Sequence, residues 1–152
     1  MNAASKLAFV EILVVEDNPG DVRLIREAFR ECGKPTRLHL ASDGLEALAF
    51  LRRAAAYAHA PRPDLILLDL NLPRLDGREV LVEIKKDRVL KSIPTIILTT
   101  SDAEQDVFMS YQEQANCYLR KPPHWDAFDD LMRTISIFWS SSAKLPQQVS
   151  AK

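Results

Sequence analysis

Residues 65–73 read LILLDLNLP: four apolar residues run into a carboxylate, Asp69, and the chain then turns. A short apolar run of this kind fits a strand buried on both faces of a parallel sheet. Asp69 would then stand where the strand emerges at its carboxyl end, which is where open α/β sheets bind ligands. Alone it could merely cap the next turn. Three other apolar runs, however, end in polar residues of matching kind. Glu16 and Asp17 follow one, Thr99 and Thr100 another, and Lys121 and Pro122 a third.

If these strands are parallel, their ends meet in one cleft. Carboxylates crowded there repel one another unless a cation neutralises them. A dense set of oxygen ligands suits Mg²⁺. Lys121 adds a point charge that could meet a phosphate, and Thr99 a hydroxyl donor. A carboxylate nucleophile, a divalent metal, a hydroxyl and an ammonium together suggest phosphoryl transfer onto Asp69. Each residue also has a plainer reading. Glu16-Asp17 could lead into a helix, the threonines could be β-branched strand residues, and the lysine could be a solvated surface group. Joint occurrence at four strand ends favours the chemical reading.

The elements that must position these residues alternate. Val10 to Glu16 is a strand. Asn18, Pro19 and Asp21 fit the N-cap, the first helical position and the third position of a helix reaching Cys32-Gly33. Arg37 to Ala41 is a second strand. Ser42-Asp43-Gly44 opens a helix that runs into the alanine-rich segment 52–63, where Pro61 and Pro63 stop it. Asp64 to Asp69, Thr95 to Thr99 and Cys117 to Arg120 complete the strands. Between them lie helices over Arg78 to Asp87 and over Asp102 to Gln114, the latter burying Val107, Phe108 and Tyr111. The last helix, Asp126 to Ser141, carries Phe128, Leu131, Met132, Ile135, Phe138 and Trp139 on one apolar stripe. The pattern implies an α/β fold, a five-stranded parallel sheet doubly wound by helices in the flavodoxin-like (βα)5 manner.

A length of 152 residues favours one domain, and 47% hydrophobic residues suffice for a core without staples. The net charge of −1, with both signs mixed along the chain, gives no basic stripe for nucleic acid. The two cysteines lack ligand or CxxC spacing and read as reduced thiols of a cytoplasmic protein. The N-terminus reads as a first strand and not a signal peptide, and no apolar run is long enough for a membrane.

The motifs LVVEDN, LILLDLNLPRLDG, PTIILTTSD and CYLRKPP resemble the response-regulator receiver domain of two-component signalling. The resemblance spans residues 9–142, leaving tails at 1–8 and 143–152 and no output domain. It implies that Asp69 is the phosphoacceptor. Mg²⁺ would be held by Asp17, Asp69 and the backbone carbonyl of Asn71, with Glu16 reaching it through water. Thr99 and Tyr118 resemble the switch residues, Lys121 the lysine that pairs with the phosphoryl group, and Lys121-Pro122 a cis peptide. Thr100 stands where a small residue is usual and would slow loss of the phosphoryl group. The resemblance implies a non-enzymatic signalling protein whose partner is a sensor histidine kinase.

The alanine-rich segment and the end TISIFWSSSAKLP are similar to regulators partnered with bacterial and cyanobacterial phytochromes. These form homodimers, which makes Ile137, Phe138 and Trp139 interface candidates, Ile137 pointing away from the apolar stripe. Two other readings stay open. A Mg-dependent phosphatase with an aspartyl nucleophile would want a second Asp two residues on, where Asn71 stands. A receiver-shaped binding module that is never phosphorylated would not need Asp17, Asp69, Thr99 and Lys121 together.

Overall fold

The computed structural model describes residues 9–31 and 34–146. Five strands form one parallel sheet: β1 (Val10–Val15), β2 (Thr36–Ala41), β3 (Leu65–Leu68), β4 (Thr95–Thr99) and β5 (Cys117–Arg120), in the order β2-β1-β3-β4-β5. Helices α1 (Pro19–Arg30), α2 (Gly44–Leu51), α3 (Gly77–Lys86), α4 (Glu104–Gln112) and α5 (Trp125–Ile137) come after the strands in turn. The doubly wound α/β fold expected from the alternation is therefore present. The chain leaves β1 toward one edge and returns across it to β3. The ends of β1 and β3 thus flank the crevice where strand order reverses.

Strand alternation splits the core into two halves. Leu13, Val15, Ile66, Leu68 and Ile97 face α2 and α3, meeting Leu48, Phe50, Val80, Leu81 and Ile84. Ile12, Val14, Leu65, Leu67, Ile96 and Leu98 face α1 and α5, meeting Ile25, Phe29, Phe128, Met132 and Ile135. Every residue of β3 and β4 is buried, as central strands covered on both sides require. The flanking strands β2 and β5 are only half-buried.

Helix starts obey the sequence. The Asn18 side chain accepts from the Gly20 and Asp21 amides at 2.9 and 3.1 Å, with Pro19 at the first position. Asp43 and Asp76 cap α2 and α3 in the same way. The end of α1 expected at Cys32-Gly33 lies outside the described residues.

Three expectations fail for physical reasons. Helix α2 stops at Leu51 instead of running through the alanines. Arg53 turns left-handed at φ 54°, and its amide and that of Ala54 close back on Phe50 and Ala49. This Schellman ending lets Tyr57 fold back, its ring 5.4 Å from Phe50 and its hydroxyl donating to Glu46 at 3.1 Å. Tertiary contacts outweigh alanine propensity here.

Helix α4 is shorter than expected and buries Ser110, leaving Phe108 and Tyr111 67% and 50% exposed. Asp106, bound to α3, turns its own side of the helix inward, and Ser110 four residues on shares that side. Phe108 falls opposite. Helix α5 ends at Ile137 and continues as a wide π-helical turn, Phe138–Ser142, closed by the Ala143 amide on the Phe138 carbonyl. The wider turn rotates its residues around the helix axis relative to a regular α-helix. Phe138 is thereby half-exposed, while Trp139 packs partly buried on the α1–α5 side of the core.

Gly77 opens α3 directly against the end of β3: a Cβ there would lie 2.0 Å from the Asp69 carbonyl oxygen. Neither backbone can yield without moving the other. Gly77→Ala is expected to lower stability by about 2–3 kcal/mol, as overpacking does, read from the urea midpoint; an unchanged midpoint would show that the approach relaxes freely.

Candidate functional site

The carboxyl edge of the sheet gathers the residues singled out from the sequence. Glu16 and Asp17 follow β1, Asp69 follows β3, Thr99 ends β4 and Lys121 follows β5. Glu16, Asp69, Thr99 and Lys121 are buried, and Asp17 is exposed at the rim. Backbone ties set their positions. The Asp69 amide donates to the Val15 carbonyl at 3.1 Å, and the Lys121 amide to the Thr99 carbonyl at 2.7 Å. The sheet ladder is thus carried to its very edge, so the side chains inherit its registration.

The Lys121 ammonium is the hub. It donates to Glu16, to Asp21 at 2.8 Å and to Asp69 at 3.0 Å. Burial pulls its pKa down, but the hydrogen bonds to Asp21 and Glu16 and the charges of Glu16 and Asp69 more than offset this and hold it above the ordinary lysine value. Burial pushes Glu16 up to about 7, against the hydrogen bond and charge of Lys121 and helped by the nearby Asp69 carboxylate. The second oxygen of Glu16 accepts from the Asn18 amide at 3.0 Å. Asp69 also accepts from the Asn71 amide at 3.1 Å. Asp69 is therefore held by donors on both oxygens.

Asp21 is the member of this cluster that sequence reading missed, since its spacing suggests only capping geometry in α1. The first turn of α1 aims its carboxylate over the cleft, and a signal existed in its position one turn after Glu16-Asp17. The Lys121–Pro122 peptide expected to be cis is trans, since no peptide among the described residues is cis.

Carboxylate oxygens of Glu16, Asp17 and Asp69 lie within 4.8 Å of one another. Three hard oxygen donors at that separation fit a divalent cation that prefers carboxylates and water. Lys121 does not satisfy Asp17, the rim carboxylate, which forms no bond to the ammonium. The donor set therefore fits a divalent metal ion. Thr99 stands beside Asn71, whose side-chain amide lies 3.5 Å from its hydroxyl.

Beyond Thr99 the loop is pinned by polar contacts. Tyr118, half-buried, donates its hydroxyl to the Ser101 carbonyl at 2.8 Å. The Ser101 hydroxyl donates to Asp106 at 2.6 Å. Arg78 clasps Asp106 with two bonds of 2.8 Å and reaches Asp76 at 3.0 Å. The hydrogen bonds from Arg78, and then from Ser101, hold Asp106 down at about 2.

A doubly wound sheet with an acidic, lysine-centred cleft at its switch point defines a class of phosphate-handling regulator. The response regulator receiver domain model matches residues 12–133, and the chain belongs to that family. It is 46% identical to response regulator Rcp1 of Synechocystis over 135 residues, 89% of this chain and 92% of that one. It is 41% identical to the probable methanogenesis regulatory protein FilR2 of Methanothrix harundinacea, covering 82% of this chain and 77% of that one. Among solved structures, the phosphorylated cyanobacterial phytochrome response regulator RcpA superposes with a TM-score of 0.90 at 48% identity, covering 92% of this chain and all (100%) of that one. The Mn(2+)-bound form of Rcp1 superposes with a TM-score of 0.89 at 45% identity, covering 90% and 99% of the two chains.

Removing the ammonium leaves the carboxylates to be neutralised by metal alone. Lys121→Met is expected to bind Mn²⁺ roughly tenfold more tightly than the wild type, by the loss of one nearby positive charge. Calorimetric titration checks this; weaker binding would mean that Lys121 organises the metal ligands instead of competing with the ion.

Proposed function

We propose that this chain is a response regulator that takes a phosphoryl group onto Asp69 from a sensor histidine kinase of the phytochrome class, with Mg²⁺ as cofactor. The observation that carries the proposal is the buried Lys121 ammonium joined to Asp69 and Glu16 at the sheet edge. A carboxylate so placed can attack, and an ammonium so placed can track the charge to the product. The similarity to RcpA and Rcp1 supports the choice of kinase class.

In the reaction one Asp69 oxygen attacks the phosphorus, the bond from phosphorus to the donor's imidazole nitrogen breaks, and that nitrogen keeps the electron pair. Mg²⁺, bound by Asp17, Asp69 and the Asn71 carbonyl with Glu16 through water, would neutralise the phosphoryl oxygens. Lys121 meets one of those oxygens. Thr99 closes toward another with its hydroxyl, drawing the adjoining loop with it. Tyr118, tied to Ser101 of that loop, passes the movement to the surface of α4, β5 and α5. Exposed Phe108 and Tyr111 enlarge the apolar part of that surface. The chain acts as a phosphoacceptor, not as a turnover enzyme, working in the cytoplasm without binding nucleic acid or membrane. No helix among the described residues is long and apolar enough to cross a membrane.

Self-association belongs to the same proposal. Ile137 and Phe138 are 54% and 50% exposed at the end of α5 and supply an apolar patch for a second copy. Trp139 serves mainly the chain's own core, its ring packed perpendicular to Phe138 at 5.2 Å.

Incubation with acetyl phosphate and Mg²⁺ is expected to add one phosphoryl mass, and Asp69→Asn to abolish it; an unmodified wild-type Asp69 in folded protein would overturn the proposal. Thr100, exposed beside the switch, screens the product from water, so Thr100→Ala should lose the group about threefold faster. Equal or slower loss removes that role. For association, the double substitution Ile137→Asp with Phe138→Asp should render a sedimenting dimer monomeric, whereas an unaltered dimer would put the interface elsewhere.

A further inference from the structure

Residues 52–63 take no part in the cleft around Asp69, yet they carry three arginines. This segment leads from α2 into the amino end of β3, and residues 87–94 lead from α3 into the amino end of β4. Because β3 and β4 pair in parallel, the two connections lie side by side, a strand's length from Asp69 at the opposite edge of the sheet. Between them is a cavity of about 330 Å³. Arg52, Arg53 and Arg62 line it, with Leu51, Val89 and Leu90 as its apolar wall. Asp87 is the one carboxylate in the lining, and its Oδ1 accepts from the Val89 and Leu90 amides at 2.8 and 3.1 Å.

The three guanidinium groups differ in what they hold. Arg52 pairs with Glu83, which lies outside the lining, at 2.7 Å. Arg62 is half-buried and pairs with no carboxylate among the described residues. Its Nη2 donates to the Val89 carbonyl and the Ser92 hydroxyl, both at 2.9 Å, while its Nε is buried without an acceptor. Its charge is thus met only by neutral oxygens. The Arg53 side chain makes no hydrogen bond or ion pair among the described residues. Its backbone stands at φ 54°, a left-handed conformation that glycine would hold at less cost. Two arginines without a counter-charge, facing one partly satisfied carboxylate, leave the cavity attractive to an anion.

We propose that this cavity binds a small phosphate ester with a flat apolar body, of the mononucleotide class. Guanidinium groups fork onto phosphate oxygens and also stack on aromatic faces, so arginines suit both halves of such a ligand. The wall of Leu51, Val89 and Leu90 offers apolar burial that a base can use and inorganic phosphate cannot. The volume lies at the small end of the range for ligand sites, which favours one nucleotide over a large cofactor. Bound there, the ligand would tie the connection after α2 to the one after α3. None of these residues belongs to the Asp69 cluster, so the site stands whether or not Asp69 takes a phosphoryl group.

Titration of adenosine monophosphate into the full chain, followed by nuclear magnetic resonance at low ionic strength without divalent metal, tests the site. The nucleotide should bind saturably and shift the amides of residues 51–53 and 88–92. Adenosine, which lacks the phosphate, and inorganic phosphate, which lacks the base, should each bind about tenfold more weakly. Arg53→Gly removes the guanidinium and suits the left-handed backbone, so the fold is retained while nucleotide affinity falls about tenfold. Arg62→Gln should weaken binding by a similar factor, and Asp69→Asn should leave it unchanged. Absence of saturable binding overturns the proposal, as does binding that survives both arginine substitutions. Inorganic phosphate binding as tightly as the nucleotide overturns the ligand class.

Discussion

A buried ammonium shared among carboxylates is the constraint that the rest of this site obeys. Taking charges out of water costs several kcal/mol apiece unless they are paired and hydrogen-bonded. Lys121 meets that demand for Glu16, Asp21 and Asp69 at once. It can do so only because β1, β3 and β5 end at the same height and because α1 turns back over the cleft. The pairing of Lys121 therefore requires the whole parallel sheet, and a rearrangement at any of these strand ends would leave a charge unpaired. Asp17, left outside the pairing, gives the cleft its spare acceptor for a cation.

Around that hub the structure divides into parts that hold and parts that can give. The turn from Asp69 to α3 is tight: Gly77 rests on the strand backbone and Asp76 caps the helix. The turn from Thr99 to α4 is held mainly by side chains, since α4 has no side-chain cap and buries only Ser110. Polar side-chain contacts can be exchanged for others at modest cost, whereas a glycine packed against a carbonyl cannot. Asp69 thus stands on the stiff side of the cleft and Thr99 on the loose side. The apolar groups Phe108 and Tyr111 face solvent on α4, the helix that follows the loose turn.

Much of the site was legible in the chain because strand ends are. An apolar run that stops at a charge marks both a buried strand and the edge where it leaves the core, and Asp69 carries that mark, as Thr99 does with a hydroxyl. Helix starts were equally plain at α1 and α2, as Asn18 and Asp43 show, since a capping side chain acts on amides two or three residues away. Failures came where distant contacts outweigh local preference. The alanines after Leu51 favour helix, but Tyr57 finds Phe50 and Glu46 only if the helix ends. Phe108 has the character of a core residue, yet Asp106 claims the inward side of α4.

The amino-acid order by itself determined the alternation of strands and helices, the doubly wound class and the identity of the residues at the sheet edge, because periodicity, caps and buried runs are local signals. Tertiary structure alone decided what those residues bind. Asp21 joined Lys121, Arg78 joined Asp106 and Tyr118 joined Ser101 because the fold brings together side chains far apart in the chain, and hydrogen bonds depend on distances that no linear spacing contains.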